Sequence, residues 1–267
     1  TYGELLFCSL MLRCLTWNIW FNTEKLVDRV RLISNYCEKE QPDVICFQEV
    51  LPRVVNLLTS QEWTKDYDIS DNRDGLTVFP YGVLIMTKKH LSAKFTFVNM
   101  PTRMSRRILV AELSVLPDHP NNKFVIATVH LESLSNSSKR KKQLQIAAKT
   151  LQKYSHAVLC GDFNFCSYRN FDAPLPLEND TLREVMSEYQ DVWEILNPES
   201  VQPEPQPTLR TLRRKKEKPV EIPSAGYTFD SAVNNVIRQY EQMRYDRVVL
   251  RSTKDDDAGV WEAKSIQ

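Results

Sequence analysis

Apolar residues fall along the chain in short runs, and the polar residues that break them gather at the runs' carboxyl ends. Leu5 to Leu12 reads as a first strand. Met11 to Trp17 is a second apolar stretch that halts at Asn18. Leu26, Val30, Ile33 and Cys37 then recur at three- and four-residue spacing, which predicts a helix that Asn22 or Thr23 can cap and Gln41-Pro42 stops. Val44-Ile45-Cys46-Phe47 reads as a fully buried strand ending at Gln48-Glu49. The opening unit is therefore strand, helix, strand.

Runs of strand length follow at Gly82 to Met86, Phe95 to Val98, Ile108 to Val115, Phe124 to Val129 and Ala157 to Cys160. Between the last two, Leu144, Ala147, Ala148 and Leu151 make one apolar face of a predicted surface helix over Lys139 to Tyr154. Asn234 to Met243 has a helical spacing, and Val248 to Leu250 reads as a further strand. Many strands with a few helices between them predict two packed sheets with helices outside, and the polar strand ends are where chemistry should be sought.

Composition narrows this picture without directing it. At 267 residues, 42% hydrophobic, the chain can bury one large core, and a single domain is expected over 1–267. The net charge of +1 gives no bulk footprint for nucleic acid, so an anionic substrate must be gripped locally. Six cysteines without a CxxC pair point to a reduced, intracellular protein, nuclear or cytoplasmic, and offer no zinc-ligand spacing. The apolar start is far shorter than the ~20 residues of a membrane span and lacks a basic leader. Residue 1 is threonine, so an upstream extension carrying a targeting signal is left open. Six of the 14 prolines lie between Pro198 and Pro223, beside the run Arg213 to Lys218, which predicts a flexible insertion at 198–225. That basic run reads as a solvated loop ahead of an import signal or nucleic-acid contact.

The chemistry sits in groups that directly follow apolar strands: Asn18 in Thr16-Trp17-Asn18, Glu49 in Gln48-Glu49, His130 in His130-Leu131-Glu132-Ser133, and Asp162 with Asn164 in Gly161-Asp162-Phe163-Asn164. Magnesium takes an octahedron of oxygens, keeps several waters and uses only one or two carboxylates, a demand that Glu49 with Asn18 beside it meets. Singly, each residue is better read as a turn former or helix cap. Together they are more specific.

In this order the motifs resemble the TWN-like, QE, GDxN and D-H series of the endonuclease/exonuclease/phosphatase superfamily, from about Met11 to the end. His130-Leu131-Glu132-Ser133, Asp191-Val192-Trp193-Glu194, Tyr227-Thr228-Phe229-Asp230 and Arg244-Tyr245-Asp246-Arg247 resemble segments of its tyrosyl-DNA phosphodiesterase branch. The resemblance implies an α+β fold, a four-layer α/β sandwich of two mainly antiparallel sheets flanked by helices. It also implies a phosphodiesterase using magnesium, with manganese as the alternative, acting as a monomer on a phosphodiester, nucleic-acid ends first. In that scheme Glu49 and Asn18 hold the metal, Asp162 deprotonates the attacking water, and Asn164 positions it. His130 donates to phosphoryl oxygens, Asp246 orients a second histidine, and Ser133 and Phe229 meet substrate.

Departures from the pattern bear on substrate. Ser135 and the Phe165-Cys166 pair stand where that branch has phosphate-gripping arginines, and a forked guanidinium is not replaced by either. Arg103, Arg106, Arg107 and Lys139 to Lys142 are candidate substitutes or a solvated edge. Trp20, Phe163 and Phe229 are candidate aromatic walls or core. The terminal Ser-Asp-His of the superfamily does not occur; the Asp118-His119 pair falls in an apparent turn. The expectation is a truncated domain with an interior sheet edge uncovered. RNA deadenylation, phosphoinositide and sphingomyelin cleavage use the same site and remain alternatives, as does a binding module that merely keeps the fold.

Overall fold

The computed structural model describes residues 1–7, 10–115, 123–170, 176–198, 226–237, 241–253 and 259–267. In chain order the elements are β1 (Tyr2–Phe7), β2 (Leu10–Asn18), α1 (Leu26–Glu40), β3 (Val44–Val50), α2 (Pro52–Thr59), β4 (Tyr67–Ile69), β5 (Gly82–Lys88), β6 (Lys94–Asn99), β7 (Arg107–Leu113) and β8 (Phe124–His130). There follow α3 (Ser137–Leu151), β9 (His156–Asp162), α4 (Glu178–Val185), β10 (Gln190–Asp191), α5 (Val192–Leu196), β11 (Phe229–Asp230), β12 (Gln242–Met243), β13 (Asp246–Ser252) and β14 (Glu262–Ile266).

Two six-stranded sheets result, ordered β14-β1-β2-β3-β5-β4 and β10-β13-β9-β8-β7-β6, with β11-β12 as a separate pair. Each large sheet contains one parallel pair, β2 with β3 and β8 with β9, bridged by the crossover helices α1 and α3. A parallel connection needs such a crossover, whereas the antiparallel remainder closes through shorter links.

The continuous apolar runs have a simple cause. In β3, Val44 and Cys46 face the core between the sheets, while Ile45 and Phe47 pack with Val30, Ile33 and Val55 of the outer helices. In β8, Phe124 and Ile126 face the inter-sheet core, and Val125, Ala127 and Val129 pack with Leu144 and Ala147 of α3. A strand covered on both faces loses its polar alternation. The layers are thus helix, sheet, sheet, helix, the sandwich expected from the motifs.

Two expectations need correction. The apolar start is two strands, β1 and β2, paired antiparallel, and β1 pairs with β14 on its other side. The described residues of Asn234 to Met243 are not helical: Asn234 to Ile237 is a turn, closed by Ile237 N–H to Asn234 O, and Gln242–Met243 is β12, paired with Phe229–Asp230. Helical spacing there competes with the Asn234 side chain, which accepts from Val236 N–H and stabilises the turn. The insertion at 198–225 lies outside the described residues apart from Pro198, as do the basic run and His119.

Candidate active site

Register brings distant carboxylates into line. His130 ends β8 opposite Asp162, which ends β9, and Asp162 is in turn opposite Asp246, the first residue of β13. The row thus crosses neighbouring strands at one end of the second sheet. In the first sheet Asn18 ends β2 opposite Gln48, and Glu49 follows. The Asn18 amide ties the two ends together: Nδ2 donates to Asp162 Oδ2 at 2.8 Å and to Glu49 Oε1 at 3.1 Å. His130 Nε2 lies 3.7 Å from Glu49 Oε1 and 3.6 Å from Asp162 Oδ2.

Local backbone geometry aims these groups. The pairing of β3 with β5 shifts register between Phe47 and Val50, and within that bulge Glu49 adopts a left-handed φ of 59°. A non-glycine residue there is strained by ~1–3 kcal/mol, and such strain persists only where its surroundings over-determine it. Here Phe21 N–H donates to Glu49 Oε2 at 2.8 Å. Just below, the buried Gln48 amide donates to Thr16 Oγ1 and, across the sheets, to Thr128 Oγ1, each at 3.0 Å. Gly161 is required: at φ 126° a Cβ would sit 2.1 Å from Val129 O. Asn164, also left-handed, donates its backbone N–H to Asp162 Oδ1 and its Nδ2 to Leu131 O.

Charge accumulates with little to offset it. Burial pushes Asp162 up to about 7, reinforced by the charges of Asp246 and Glu49 against hydrogen bonds from Asn18 and Asn164. Asp246 is also raised by burial, opposed by the amino-terminal ammonium and Thr228, and its Oδ1 is buried without a hydrogen-bond partner. Asp246 lines a cavity of about 490 Å³ together with Asn18, Thr16, Trp193 and Thr228. Glu49, Asp162 and Asp246 gather three carboxylates at one rim, with Asp246 Oδ1 left without a hydrogen bond, and such a cluster suits a hard divalent cation. No group of three or more His, Cys, Asp or Glu is arranged as a metal cage among the described residues. Magnesium's habit of taking one or two carboxylates and several waters needs none. The residues present fit it.

His130 is kept neutral. Burial and then the Arg106 charge hold its pKa well below the usual imidazole value. Arg106 Nη1 lies 2.6 Å from His130 Nδ1, and a guanidinium can only donate, so the imidazole proton is on Nε2, facing Glu49 and Asp162. Arg106 is itself fixed from behind, since its backbone N–H donates to Thr102 Oγ1, which donates to the buried Glu132.

The other candidates divide. Ser133 Oγ meets Met104 Sδ at 3.2 Å on the loop that carries Arg106. Phe229 is half-buried against Tyr245, 5.6 Å between ring centroids. Phe163 is core, not wall: it is fully buried among Leu131, Leu159 and Phe165. Trp20 is exposed, with Arg29 stacked 4.9 Å from its ring. Of the candidate cations, Arg140 is a buried brace that binds Glu178 and donates to the carbonyls of Glu132 and Leu134. Arg107 stacks on Phe97 away from Arg106. Tyr81 was missed altogether; its ring lies 5.2 Å from the Arg106 guanidinium, and nothing in Phe79-Pro80-Tyr81-Gly82 distinguishes it from a turn.

Known proteins resemble this chain in sequence and in fold. Tyrosyl-DNA phosphodiesterase 2 of Danio rerio is 26% identical over 254 residues, covering 91% of this chain and 57% of that protein. The Homo sapiens protein of the same name is 25% identical over 257 residues, covering 92% and 59%. The chain thus spans less than two thirds of the length of these relatives. A crystal structure of the D. rerio protein complexed with a single-strand DNA product superposes with a TM-score of 0.67 at 25% identity, covering 91% of this chain and 84% of that one. The human Nocturnin catalytic domain shares the fold, with a TM-score of 0.55 at 15% identity, covering 93% and 84%. Residues 15–260 match the family described as Endonuclease/Exonuclease/phosphatase, and the chain belongs to that family.

Proposed function

We propose that this chain is a divalent-metal-dependent phosphodiesterase that hydrolyses a phosphodiester at a nucleic-acid end, in the manner of the tyrosyl-DNA phosphodiesterases it resembles. The observation that carries the reading is the meeting of Asn18, Glu49, His130, Asp162 and Asp246 within one network at facing strand ends of two sheets.

Glu49, with Asn18, would hold magnesium or manganese, which supplies charge neutralisation at the phosphoryl group. Asp162, buried and fixed by Asn18 and Asn164, accepts the proton of a water that Asn164 helps to place. His130 directs its Nε2 proton at a phosphoryl oxygen, and Arg106 holds that tautomer. The water oxygen forms the new bond to phosphorus and the ester oxygen leaves, giving a phosphomonoester and an alcohol or phenol. Asp246 has a buried oxygen still to be satisfied and would orient a further donor at the cavity.

The choice of nucleic acid is supported by the relatives rather than by a basic groove. Phe165 is buried and carries Arg247 stacked 4.7 Å from its ring, and Cys166 Sγ accepts from Arg244 N–H, so neither position offers a cation to phosphate. The test is a magnesium-dependent assay on a 5′-tyrosyl single-stranded oligonucleotide, a polyadenylate RNA, a phosphoinositide and sphingomyelin. Preferential release of tyrosine is expected. Faster turnover of either lipid would replace the nucleic-acid reading, and binding without turnover of any of the four would favour a binding module.

A further inference from the structure

Beside Glu49 stands an aromatic shelf that the proposed chemistry does not use. Phe21 is 46% exposed, and its ring stacks on Tyr81 at 4.9 Å between centroids with an interplanar angle of 17°. Tyr81 also meets the Arg106 guanidinium at 5.2 Å, and Arg106 in turn holds His130. The loop that carries Phe21 is braced: Arg29 donates to the carbonyls of Trp20, Asn22 and Glu24 and lies over the Trp20 ring. Trp20 N–H is fixed on Asn18 Oδ1 and Phe21 N–H on Glu49 Oε2, which ties the shelf to the candidate metal residues through the backbone.

An exposed, preorganised apolar surface at a polar centre is a place for a ring, since planar groups stack on aromatic side chains at little ordering cost. Its side of the site says which ring. In phosphoryl transfer the attacking and leaving oxygens lie roughly in line across phosphorus. Asp162 and Asn164, which would place the water, belong to the second sheet, whereas Phe21 is joined to Glu49 of the first. We propose that Phe21, stacked on Tyr81, is a specificity-determining residue that receives a planar aromatic ring of the leaving group. This rests on the phosphodiesterase reading above, and it adds that aryl or nucleoside leaving groups are selected over aliphatic ones by contact, beyond their greater acidity.

The experiment compares the 4-nitrophenyl and 2,2,2-trifluoroethyl esters of thymidine 5′-monophosphate, using the ratio of their kcat/KM values in wild type, Phe21→Ala and Phe21→Trp. Differences in leaving-group acidity cancel when ratios are compared between variants. The ratio should fall about tenfold in Phe21→Ala, the size of one lost stacking contact, and return in Phe21→Trp. A Phe21→Ala ratio within twofold of wild type, at an unchanged thermal midpoint, overturns the proposal. If neither ester is hydrolysed, binding of phenyl phosphate against methyl phosphate by tryptophan fluorescence decides. A phenyl preference abolished in Phe21→Ala keeps the shelf and removes the phosphodiesterase reading, whereas no phenyl preference removes the shelf.

Discussion

Arg106 donates to Nδ1 of His130 at 2.6 Å, and this contact places the imidazole's proton on Nε2, toward Glu49 and Asp162. Replacing Arg106 with methionine keeps the stem and removes the donor. The proton should then redistribute between the ring nitrogens, visible as a changed 15N pattern for His130. Turnover should fall ~10²-fold or more, the scale on which a misdirected proton donor costs an enzyme. An unaltered His130 pattern in Arg106→Met would show that another group sets the tautomer.

Glu49 Oε1 accepts from Asn18 Nδ2 and Oε2 from Phe21 N–H, so the single carbonyl oxygen of a glutamine keeps one of these bonds and the other is lost. Glu49→Gln should still fold, with a thermal midpoint modestly below that of wild type, since one net hydrogen bond is worth ~1 kcal/mol. Magnesium affinity and turnover should drop by ~10² or more, because the cation then meets neutral oxygens only. Calorimetric titration with magnesium and an activity assay check the two separately. Retention of most of the wild-type rate would show the metal assignment to be wrong.

Asp191 is a buried anion between Arg244, which it binds at 2.9 and 2.7 Å, and Arg247 at 3.5 Å. Burial pushes its pKa up, but the Arg244 charge and hydrogen bonds, with Arg247, outweigh this and leave it below the ordinary aspartate value. Its folded pKa is thus depressed relative to the unfolded chain. The associated stability is complete above the unfolded pKa and is lost as pH falls through the folded one, below the usual aspartate range. Asp191→Asn should lose ~3–5 kcal/mol at neutral pH by leaving the buried Arg244 with only its longer contact to Glu194, and the urea midpoint of the variant should depend less on acid. Equal acid sensitivity in both proteins would place the titrating group elsewhere.

Phe163 and Phe229 were both readable as walls of a binding site, and their surroundings now separate them. Phe163→Ala should cost ~3–5 kcal/mol in unfolding free energy as a fully buried ring is deleted. Phe229→Ala, from a half-buried ring on Tyr245, should cost clearly less and act mainly on KM. Denaturant titrations beside steady-state kinetics distinguish the pair. Matching losses of stability would make Phe229 core as well.

The chain itself determined the layers and the strand ends. Alternating three- and four-residue spacing specified α1, and unbroken apolar runs specified β3, β8 and β9, because burial on both faces of a strand leaves no room for polar alternation. Asn18, Glu49, His130 and Asp162 were legible for the complementary reason: a polar group that ends a buried strand has nowhere to go but the rim. Only the tertiary structure decided how those rims meet. The row His130, Asp162, Asp246 depends on the registers of β8, β9 and β13, whose partners are separated in sequence by long connections. The bond from Asn18 to Asp162 spans 144 residues and two sheets. The roles of Arg106, Tyr81 and Phe21 come from contacts among loops with no period to read, and Phe163 passed for a wall because local spacing does not report which side of a strand end a ring is packed against. Sequence periodicity encodes the environment of each element along itself; register and sheet-to-sheet packing, which bring these side chains together, are settled only when the whole core is buried at once.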